Sequence, residues 1–250
     1  LHPRVRRQRQ MCIRDSLEHC ERILEDYKRL EYEMHLLHNE YTGGLKLGAS
    51  TTIAQYVLPP LLASFIGKFP QVSLSLLNGN SREIEAALQE HRIDLGFVEG
   101  VFRLPNIRYT TFLEDELVAV VRTGSKLAVG EEITPDELFH LPLVLRERGS
   151  GTLDVFERAL QQHNIKLSSL QVLMYLGSTE SIKLFLEHTD CLGIVSVRSI
   201  TRELYSGQLR VVEIKGMPML RDFSFAQPQG QESGLAQVFM QFAMHNNHKL

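Results

Sequence analysis

The hydrophobic positions of this chain change their spacing in a regular way near residue 45. Leu45 and Leu47 alternate with polar or small residues, as in a short strand, and residues 58–66 then carry apolar side chains at helical spacing. After Pro70 the alternation returns in residues 72–76. Strand, helix and strand in this order predict a βαβ unit.

The same succession of apolar strands and amphipathic helices continues along the chain. It occurs twice, around residues 45–117 and again around residues 121–222. Alternating strands and helices imply an α/β fold with mostly parallel sheets, here arranged as two lobes. Pockets favour the junction of such lobes and the carboxyl ends of parallel strands. We therefore expect the functional site in a cleft between the lobes.

Four segments at predicted strand ends or helix starts, two in each lobe, carry small polar residues. Glycine lets backbone approach a ligand closely, and hydroxyl groups can donate or accept hydrogen bonds. Because the first amides of a helix lack internal partners, such turns suit small, often anionic molecules. Helix capping alone is the alternative for each segment. The candidate binding residues are Ser50, Thr51, Thr52, Glu99, Gly100, Ser150, Thr152, Ser178 and Thr179.

Two arginines flank the third of these segments. Arg146 and Arg148 would attract an anion if they faced the cleft, or would simply be solvated if they faced outward. The sequence leaves both interpretations open.

The motifs of common enzymes are missing from the chain. The turn at residues 149–151 lacks the spacing of a nucleophile elbow and the Lys-Ser/Thr ending of a phosphate loop. His35 and His38 are three residues apart, but a solvated helix face explains them better than a metal site. We predict no catalytic residue, no metal site and no cofactor.

Residues 17–41 predict a long amphipathic helix with a narrow apolar stripe. The stripe follows spacings of three and four residues, close to a heptad seam with one irregular step, and residues 42–44 end the helix. Such a stripe fits a partner helix in a dimer better than it fits packing on its own domain, which stays the alternative. Its members are Leu17, Cys20, Leu24, Tyr27, Leu30, Met34, Leu37 and Tyr41.

Residues 1–16 are basic, with five arginines against Asp15 alone. A basic arm for DNA is one interpretation. We favour the other, a disordered or non-native segment that contains no folded module.

Composition narrows the class of protein. Of the 250 residues, 43% are hydrophobic and 23% charged, as in ordinary soluble globular proteins. The net charge of −3 gives no support to a chain-wide nucleic-acid surface. Three scattered cysteines suggest a reducing compartment, and no apolar run approaches the roughly 20 residues that span a bilayer. We predict a cytoplasmic protein without a membrane partner, although a secreted protein whose signal had been removed would look the same.

Several short motifs, taken in order, resemble the effector-binding domain of LysR-type transcriptional regulators. They are Leu45-Lys46-Leu47-Gly48, Tyr56-Val57-Leu58-Pro59, Phe69-Pro70-Gln71-Val72, Gly79-Asn80-Ser81, Ile93-Asp94-Leu95-Gly96, the Gly149-to-Thr152 turn and Gly193-Ile194. The resemblance runs from about Leu17 to the carboxyl end.

This resemblance implies two Rossmann-like lobes joined by two crossover strands, as in type 2 periplasmic solute-binding proteins, preceded by a long linker helix. Lobe I is then expected at residues 45–119 plus 226–250, lobe II at 120–225, and the dimerisation linker helix at 17–42. The family's effector cleft maps onto the nine candidate residues.

The function that the resemblance implies is that of the effector-sensing and oligomerisation portion of a regulator, not an enzyme. Such a chain would bind a small metabolite or inorganic anion and form a homodimer or tetramer. It would contact DNA only through the parent protein's winged helix-turn-helix domain, which residues 1–16 do not contain. The alternative is a solute-binding protein of a transport system, which shares the two-lobe design but not the linker helix.

Overall fold

A computed structural model of the chain describes residues 41–100, 103–127, 130–230 and 234–246, together with Cys20, Ile23 and Tyr27. The described strands are β1 (Gly43–Ser50), β2 (Val72–Gly79), β3 (Leu95–Glu99), β4 (Ile107–Arg122), β5 (Glu132–Ile133), β6 (Pro142–Arg146), β7 (Gln171–Leu176), β8 (Leu192–Ser196), β9 (Leu209–Ile214) and β10 (Leu220–Pro228). The described α-helices are α1 (Thr51–Tyr56), α2 (Leu58–Lys68), α3 (Ser81–Gln89), α4 (Gly151–Gln162), α5 (Thr179–His188), α6 (Thr201–Tyr205) and α7 (Gly234–Asn246). Within these ranges no helix is long and apolar enough to cross a membrane.

The first lobe begins with the predicted βαβ unit. Strand β1 pairs in parallel with β2 on one side and with β3 on the other. The connection from β1 to β2 holds two helices instead of the single predicted one, because the chain breaks at Val57. Pro59 lies in the first turn of α2, where its missing N–H costs nothing, but it cannot continue the hydrogen bonds of α1.

Two long strands join the lobes. Residues 107–116 of β4 pair antiparallel with β10, and from Leu117 onward β4 pairs with β8 and then β9. Strand β10 leads back and pairs antiparallel with β3 through residues 223–226. The predicted α/β class with two lobes and two crossover strands is confirmed, since one strand leaves the first lobe and another returns to it.

The second lobe repeats the arrangement of the first. Strand β6 pairs in parallel with β7 and β8, and the full sheet runs in the order β2-β1-β3-β10-β4-β8-β6-β7, with β9 attached to β4 and β5 to β9. Helices α4 and α5 follow β6 and β7, as α1 and α3 follow β1 and β2. Equivalent strand ends of the two lobes therefore meet at the junction.

Each lobe has an apolar core of its own. In the first lobe Phe65 from α2 packs on Phe239 from α7, with ring centroids 4.8 Å apart. In the second lobe Phe156 and Leu160 from α4 pack on a sheet that includes Ile194. Because both cores close without the other lobe, the polar groups at the junction belong to neither core.

The amino-terminal predictions lie largely outside the described residues. This applies to residues 1–16 and to most of the predicted helix 17–41, of which only Cys20, Ile23 and Tyr27 are described, as exposed helical residues. Tyr41, the last position of the predicted seam, packs edge-on against Phe69 of the first lobe at a centroid distance of 5.6 Å. The dimerisation helix stays a prediction, and Tyr41 belongs to the lobe.

Helix α3 begins with a reciprocal side-chain cap. Asn80, not Ser81, is the N-cap, and its side chain accepts a hydrogen bond from the amide of Glu83 while Glu83 accepts one from the amide of Asn80. This reciprocal capping satisfies two free donors at once. The Ser81 hydroxyl is therefore available to donate to the carbonyl of Glu99 at 2.8 Å.

Cys191 lies at the start of β8, fully buried. Burial raises the pKa of its thiol to about 11. A buried thiol with a raised pKa is an unreactive core residue.

Candidate functional site

The four predicted segments all follow parallel strands at the junction of the lobes. Ser50 ends β1 and precedes α1, and Glu99 ends β3. Ser150 and Ser178 are the N-cap residues of α4 and α5 in the second lobe. The fold thus places all four at one face of the molecule, as expected for the carboxyl ends of parallel strands.

Glu99 brings three of the four segments together. Its Oε1 atom accepts hydrogen bonds from the hydroxyls of Thr52 at 3.3 Å and Thr152 at 3.4 Å, so that residues from both lobes share one carboxylate. The side chains of all three residues are buried. The candidate residues of the two lobes are therefore in contact, in a closed arrangement.

Two glycines allow this close approach. Gly100 has a φ of +110°, a left-handed conformation that favours glycine, and a Cβ added there would lie 3.0 Å from the Cα of Gly151. A Cβ added at Gly151 would lie 2.3 Å from the carbonyl oxygen of Glu99. The backbones of the two lobes touch at this point, so any side chain at residue 151 would push the lobes apart.

Replacing Gly151 with alanine is expected to lower the free energy of unfolding by about 1–3 kcal/mol, because backbone atoms on the other lobe must move. Urea denaturation followed by circular dichroism measures the change. The matched control is Gly67→Ala in α2, where no atom lies within 4 Å of the added Cβ; it should gain up to about 1 kcal/mol from helix propensity. A Gly151→Ala protein as stable as the parent would mean that the lobes do not touch in solution.

Arg146 connects the remaining segment to the first lobe. It is the last residue of β6 and only 1% of its surface is exposed, whereas Arg148 is exposed to solvent. Of the two interpretations that the sequence left open, Arg146 therefore faces the junction and Arg148 is solvated. The guanidinium donates to the hydroxyls of Thr51 and Thr179, both at 3.4 Å, and to the carboxylate of Glu147 at 2.8 Å. A buried guanidinium thus lies between hydroxyls of opposite lobes.

The N-cap serines fall into two groups. The half-buried Ser178 hydroxyl accepts from the amide of Ser181 at 3.1 Å, so capping accounts for it. Ser50 and Ser150 make no side-chain capping bond, and each is only 1% exposed. Capping does not explain these two hydroxyls.

Three buried side-chain oxygen atoms at the junction have no hydrogen-bond partner in the described part of the chain: the hydroxyl oxygens of Ser50 and Ser150 and the Oε2 atom of Glu99. An unsatisfied buried polar group costs about 1–3 kcal/mol. Ser50 and Ser150 each precede by two residues a threonine, Thr52 or Thr152, that donates to Oε1 of the same Glu99. A polar ligand that bonded to them would remove that cost.

Arg221 is a site residue that sequence reasoning missed. Its buried guanidinium lies 3.2 Å from Glu99 Oε1, donates to the Thr152 hydroxyl at 3.0 Å, and donates to Asp115 of β4 at 2.7 Å. It therefore ties both crossover strands to both lobes. Its spacing in β10 could have identified it. Alternate residues of a strand lie on the same face, so Arg221 lies on the face of the buried Phe223 and Phe225.

A second contact closes the outer edge of the junction. The Tyr56 hydroxyl in α1 donates to the Glu180 carboxylate in α5, and Lys183 pairs with Glu180 at 2.7 Å. Burial and this hydrogen bond raise the pKa of Tyr56 above its ordinary value. Burial alone would raise the pKa of Glu180, but hydrogen bonds from Lys183 and Tyr56 outweigh it, so its pKa is lowered. The carboxylate stays ionised near neutral pH.

The combination of groups suits binding of a small anion. A buried guanidinium, two free hydroxyls and the positive end of α4 favour negative charge in the ligand. Among the described residues no group of three or more His, Cys, Asp or Glu side chains is placed to hold a metal ion.

Fold and geometry together define a two-lobed domain with a cluster of buried polar side chains at the junction of the lobes. The family model for the LysR substrate binding domain matches residues 38–247, and the chain belongs to this family. Members of this family are transcriptional regulators rather than enzymes, which confirms the family prediction and the prediction that the chain is not an enzyme.

Individual relatives agree with this assignment. The uncharacterized HTH-type transcriptional regulator YeiE of Escherichia coli K12 is 35% identical over 182 residues, which cover 73% of this chain and 61% of YeiE. CysL of Bacillus subtilis is 26% identical over 199 residues, covering 80% of this chain and 66% of CysL. The regulatory domain of Synechocystis CcmR, solved in complex with 2-PG, superposes with a TM-score of 0.74 at 28% identity, covering 82% of this chain and 97% of that domain.

The chain spans about three fifths of the length of YeiE. These relatives are regulators, which does not support the alternative of a transport component.

Proposed function

We propose that this chain is the effector-sensing part of a LysR-type transcriptional regulator and that a small anionic effector binds at the junction of the lobes. The observation that carries the proposal is the pair of buried, unpartnered hydroxyls of Ser50 and Ser150, one from each lobe. A ligand held by both would link the lobes, and its binding energy would favour the closed arrangement. The ligand-bound CcmR domain supports a small-molecule role for this fold.

We propose a role for each predicted residue from its contacts. In this proposal Ser50, Ser150 and Arg146 bind the anionic group, because the two hydroxyls are buried without a partner among the described residues and the guanidinium is buried between the two lobes. Thr51 and Thr179 hold the guanidinium of Arg146 in place. Thr52, Thr152 and Gly100 form the lobe contact around Glu99, and Ser178 caps α5.

The experiment is a thermal-shift screen of sulfate, nitrate, phosphate and small carboxylates at constant ionic strength. A ligand at 100 times its Kd should stabilise the protein by about 2.7 kcal/mol. Ser50→Ala and Ser150→Ala should leave the unliganded protein at least as stable as the parent, because neither hydroxyl has a hydrogen-bond partner among the described residues to lose. Each should weaken binding about 10-fold, the value of one hydrogen bond to a charged group.

Ser178→Ala is the matched control for these variants. Loss of its capping bond should destabilise the unliganded protein by about 1 kcal/mol while the affinity for the anion stays within about 2-fold. If no anion or carboxylate raised the melting temperature, or if Ser50→Ala and Ser150→Ala left affinity unchanged, the proposed site would be wrong.

In this proposal the protein works in the cytoplasm as a homodimer or tetramer and contacts DNA through a winged helix-turn-helix domain outside this chain. The edge strands β2 and β7 carry exposed apolar side chains, which need a cover in solution. They are Leu76 and Leu77 on β2, each 37% exposed, and Leu173, Met174 and Tyr175 on β7, which are 43% exposed or more. A second copy of the chain is the cover that we propose.

Sedimentation velocity tests the oligomer. The parent chain should sediment as a dimer or larger, and Met174→Glu should shift it toward monomer, because a buried unpaired charge opposes association. Leu204→Glu on α6, at a side chain 39% exposed, is the control and should leave the oligomer intact. A parent chain that stays monomeric at all concentrations would contradict the proposed oligomer and favour the alternative of a solute-binding protein.

A further inference from the structure

One carboxylate oxygen restricts which anions the site between the lobes accepts. We propose that the effector is an anion that also carries an O–H group, and that it donates this hydrogen bond to Oε2 of Glu99. Protonated oxyanions such as hydrogen phosphate and small 2-hydroxy carboxylates share this chemistry, whereas sulfate, nitrate and simple carboxylates lack it. The inference rests on the proposed function and names the class of ligand for the same site.

The two oxygens of the Glu99 carboxylate have different surroundings. Oε1 is fully engaged, with Thr52 at 3.3 Å, Thr152 at 3.4 Å and Arg221 at 3.2 Å. Oε2 is equally buried, in a side chain only 2% exposed, and has no hydrogen-bond partner among the described residues. The protein thus orients this carboxylate through one oxygen and leaves the other without a donor.

The chemistry of a carboxylate decides what can bond to that oxygen. An ionised carboxylate only accepts hydrogen bonds. A bare oxyanion oxygen is also only an acceptor, so it cannot satisfy Oε2 and is repelled by its charge. Arg221 offsets this repulsion only in part, because it is shared with Asp115 at 2.7 Å. A ligand O–H group is the partner that removes both penalties.

The remaining free groups complement this requirement. The hydroxyls of Ser50 and Ser150 can donate to the bare oxygens of the same ligand, with the guanidinium of Arg146 supplying positive charge. One part of the ligand is then recognised as an acceptor and another as a donor. A site built to bond a hydroxyl rejects the analogue lacking it, because its own buried group is left unpaired.

Isothermal titration calorimetry of the chain with two matched pairs of ligands tests the inference. The pairs are phosphate against sulfate and glycolate against acetate, each at pH 7 and constant ionic strength. In at least one pair the member carrying the O–H group should bind about 10-fold to 100-fold more tightly, the range for one buried unsatisfied group. The pair that shows the difference distinguishes an oxyanion from a hydroxy acid.

The outcomes separate this inference from the proposed function. If sulfate and acetate bound as tightly as phosphate and glycolate, the inference would be overturned and the proposed function would stand. If none of the four bound and the wider anion screen also failed, both would fall.

Glu99→Gln provides a second measurement, because the amide nitrogen of glutamine can donate to a bare oxygen. The preference for the O–H member should fall below about 3-fold, mainly through tighter binding of the other member. The matched control is Glu147→Gln, which removes the carboxylate paired with Arg146 at 2.8 Å. It should change the affinity for both members of a pair by the same factor. An unchanged preference for the O–H member in Glu99→Gln would overturn the inference. If this variant does not fold, the comparison of the ligand pairs in the parent chain remains the test.

Discussion

Replacing Arg221 with methionine is expected to lower the free energy of unfolding by about 3–5 kcal/mol. The guanidinium is fully buried between Glu99 and Asp115, whose side chains are 2% and 0% exposed. Removing it leaves two buried carboxylates without their main counter-charge, and such an uncompensated charge costs far more than the ion pair is worth. Chemical denaturation measures the loss.

Two further variants show whether charge, and not lost packing, causes this effect. Adding Glu99→Gln and Asp115→Asn to Arg221→Met should recover part of the stability, because neutral side chains need no counter-charge. Arg92→Met is the surface control, since Arg92 pairs with Glu90 at side chains 52% and 61% exposed. It should cost less than about 1 kcal/mol. An equally small loss for Arg221→Met would contradict a structural role for the buried cluster.

Replacing Arg146 with methionine is expected to weaken binding of the anionic effector by about 100-fold to 1,000-fold. A buried guanidinium contributes charge-assisted hydrogen bonds of about 1.5–3 kcal/mol each, and an anion in contact with it makes up to two. The stability of the unliganded protein should change much less, because the partner carboxylate of Glu147 is 26% exposed and can be solvated. Calorimetric titration with the tightest anion from the screen measures the change.

Arg148→Met is the matched control, two residues along the same turn and exposed to solvent. It should leave affinity within about 2-fold, because a solvated charge at the surface is screened. Arg146→Lys should fall between the two, since lysine keeps the charge but not the planar fork that reaches Thr51 and Thr179 together. If Arg146→Met bound the anion as well as the parent does, the ligand would not contact this guanidinium.

Much of the candidate site followed from local pattern. The order of strand, hydroxyl turn and helix located Ser50, Thr52, Glu99, Ser150 and Thr152 at strand ends, and the structure brings Thr52, Glu99 and Thr152 into contact and buries the Ser50 and Ser150 hydroxyls. This worked because parallel strands place their carboxyl ends at one edge of a sheet, so that four local signals converge without any knowledge of distant contacts.

The rest of the site depends on pairs that no local pattern reveals. Asp115 and Arg221 are 106 residues apart and meet only because β4 and β10 pair antiparallel. The run Glu114-Asp115-Glu116 in β4 has no apolar alternation that would predict a strand. It is a strand in the structure because β10 pairs with it along its length.

The division between caps and free hydroxyls was likewise invisible in the sequence. Ser50, Ser150 and Ser178 occupy the same kind of position before a helix, yet only Ser178 bonds to its own helix. Burial distinguishes them, since the first two lie between the lobes and Ser178 is half-buried at its edge. Burial at an interface is a property of both lobes together.

The sequence by itself determined the α/β class, the order of the elements and the hydroxyl-rich turns at the strand ends. These depend on spacing within about 10–20 residues, the range over which the polypeptide backbone fixes helical and strand periodicity. Only the tertiary structure decided that Arg146 is buried while Arg148 is solvated, that Arg221 joins both lobes, and which oxygens remain without a partner. Those outcomes depend on which surfaces the packed lobes exclude from water, and that exclusion is set by contacts between residues far apart in the chain.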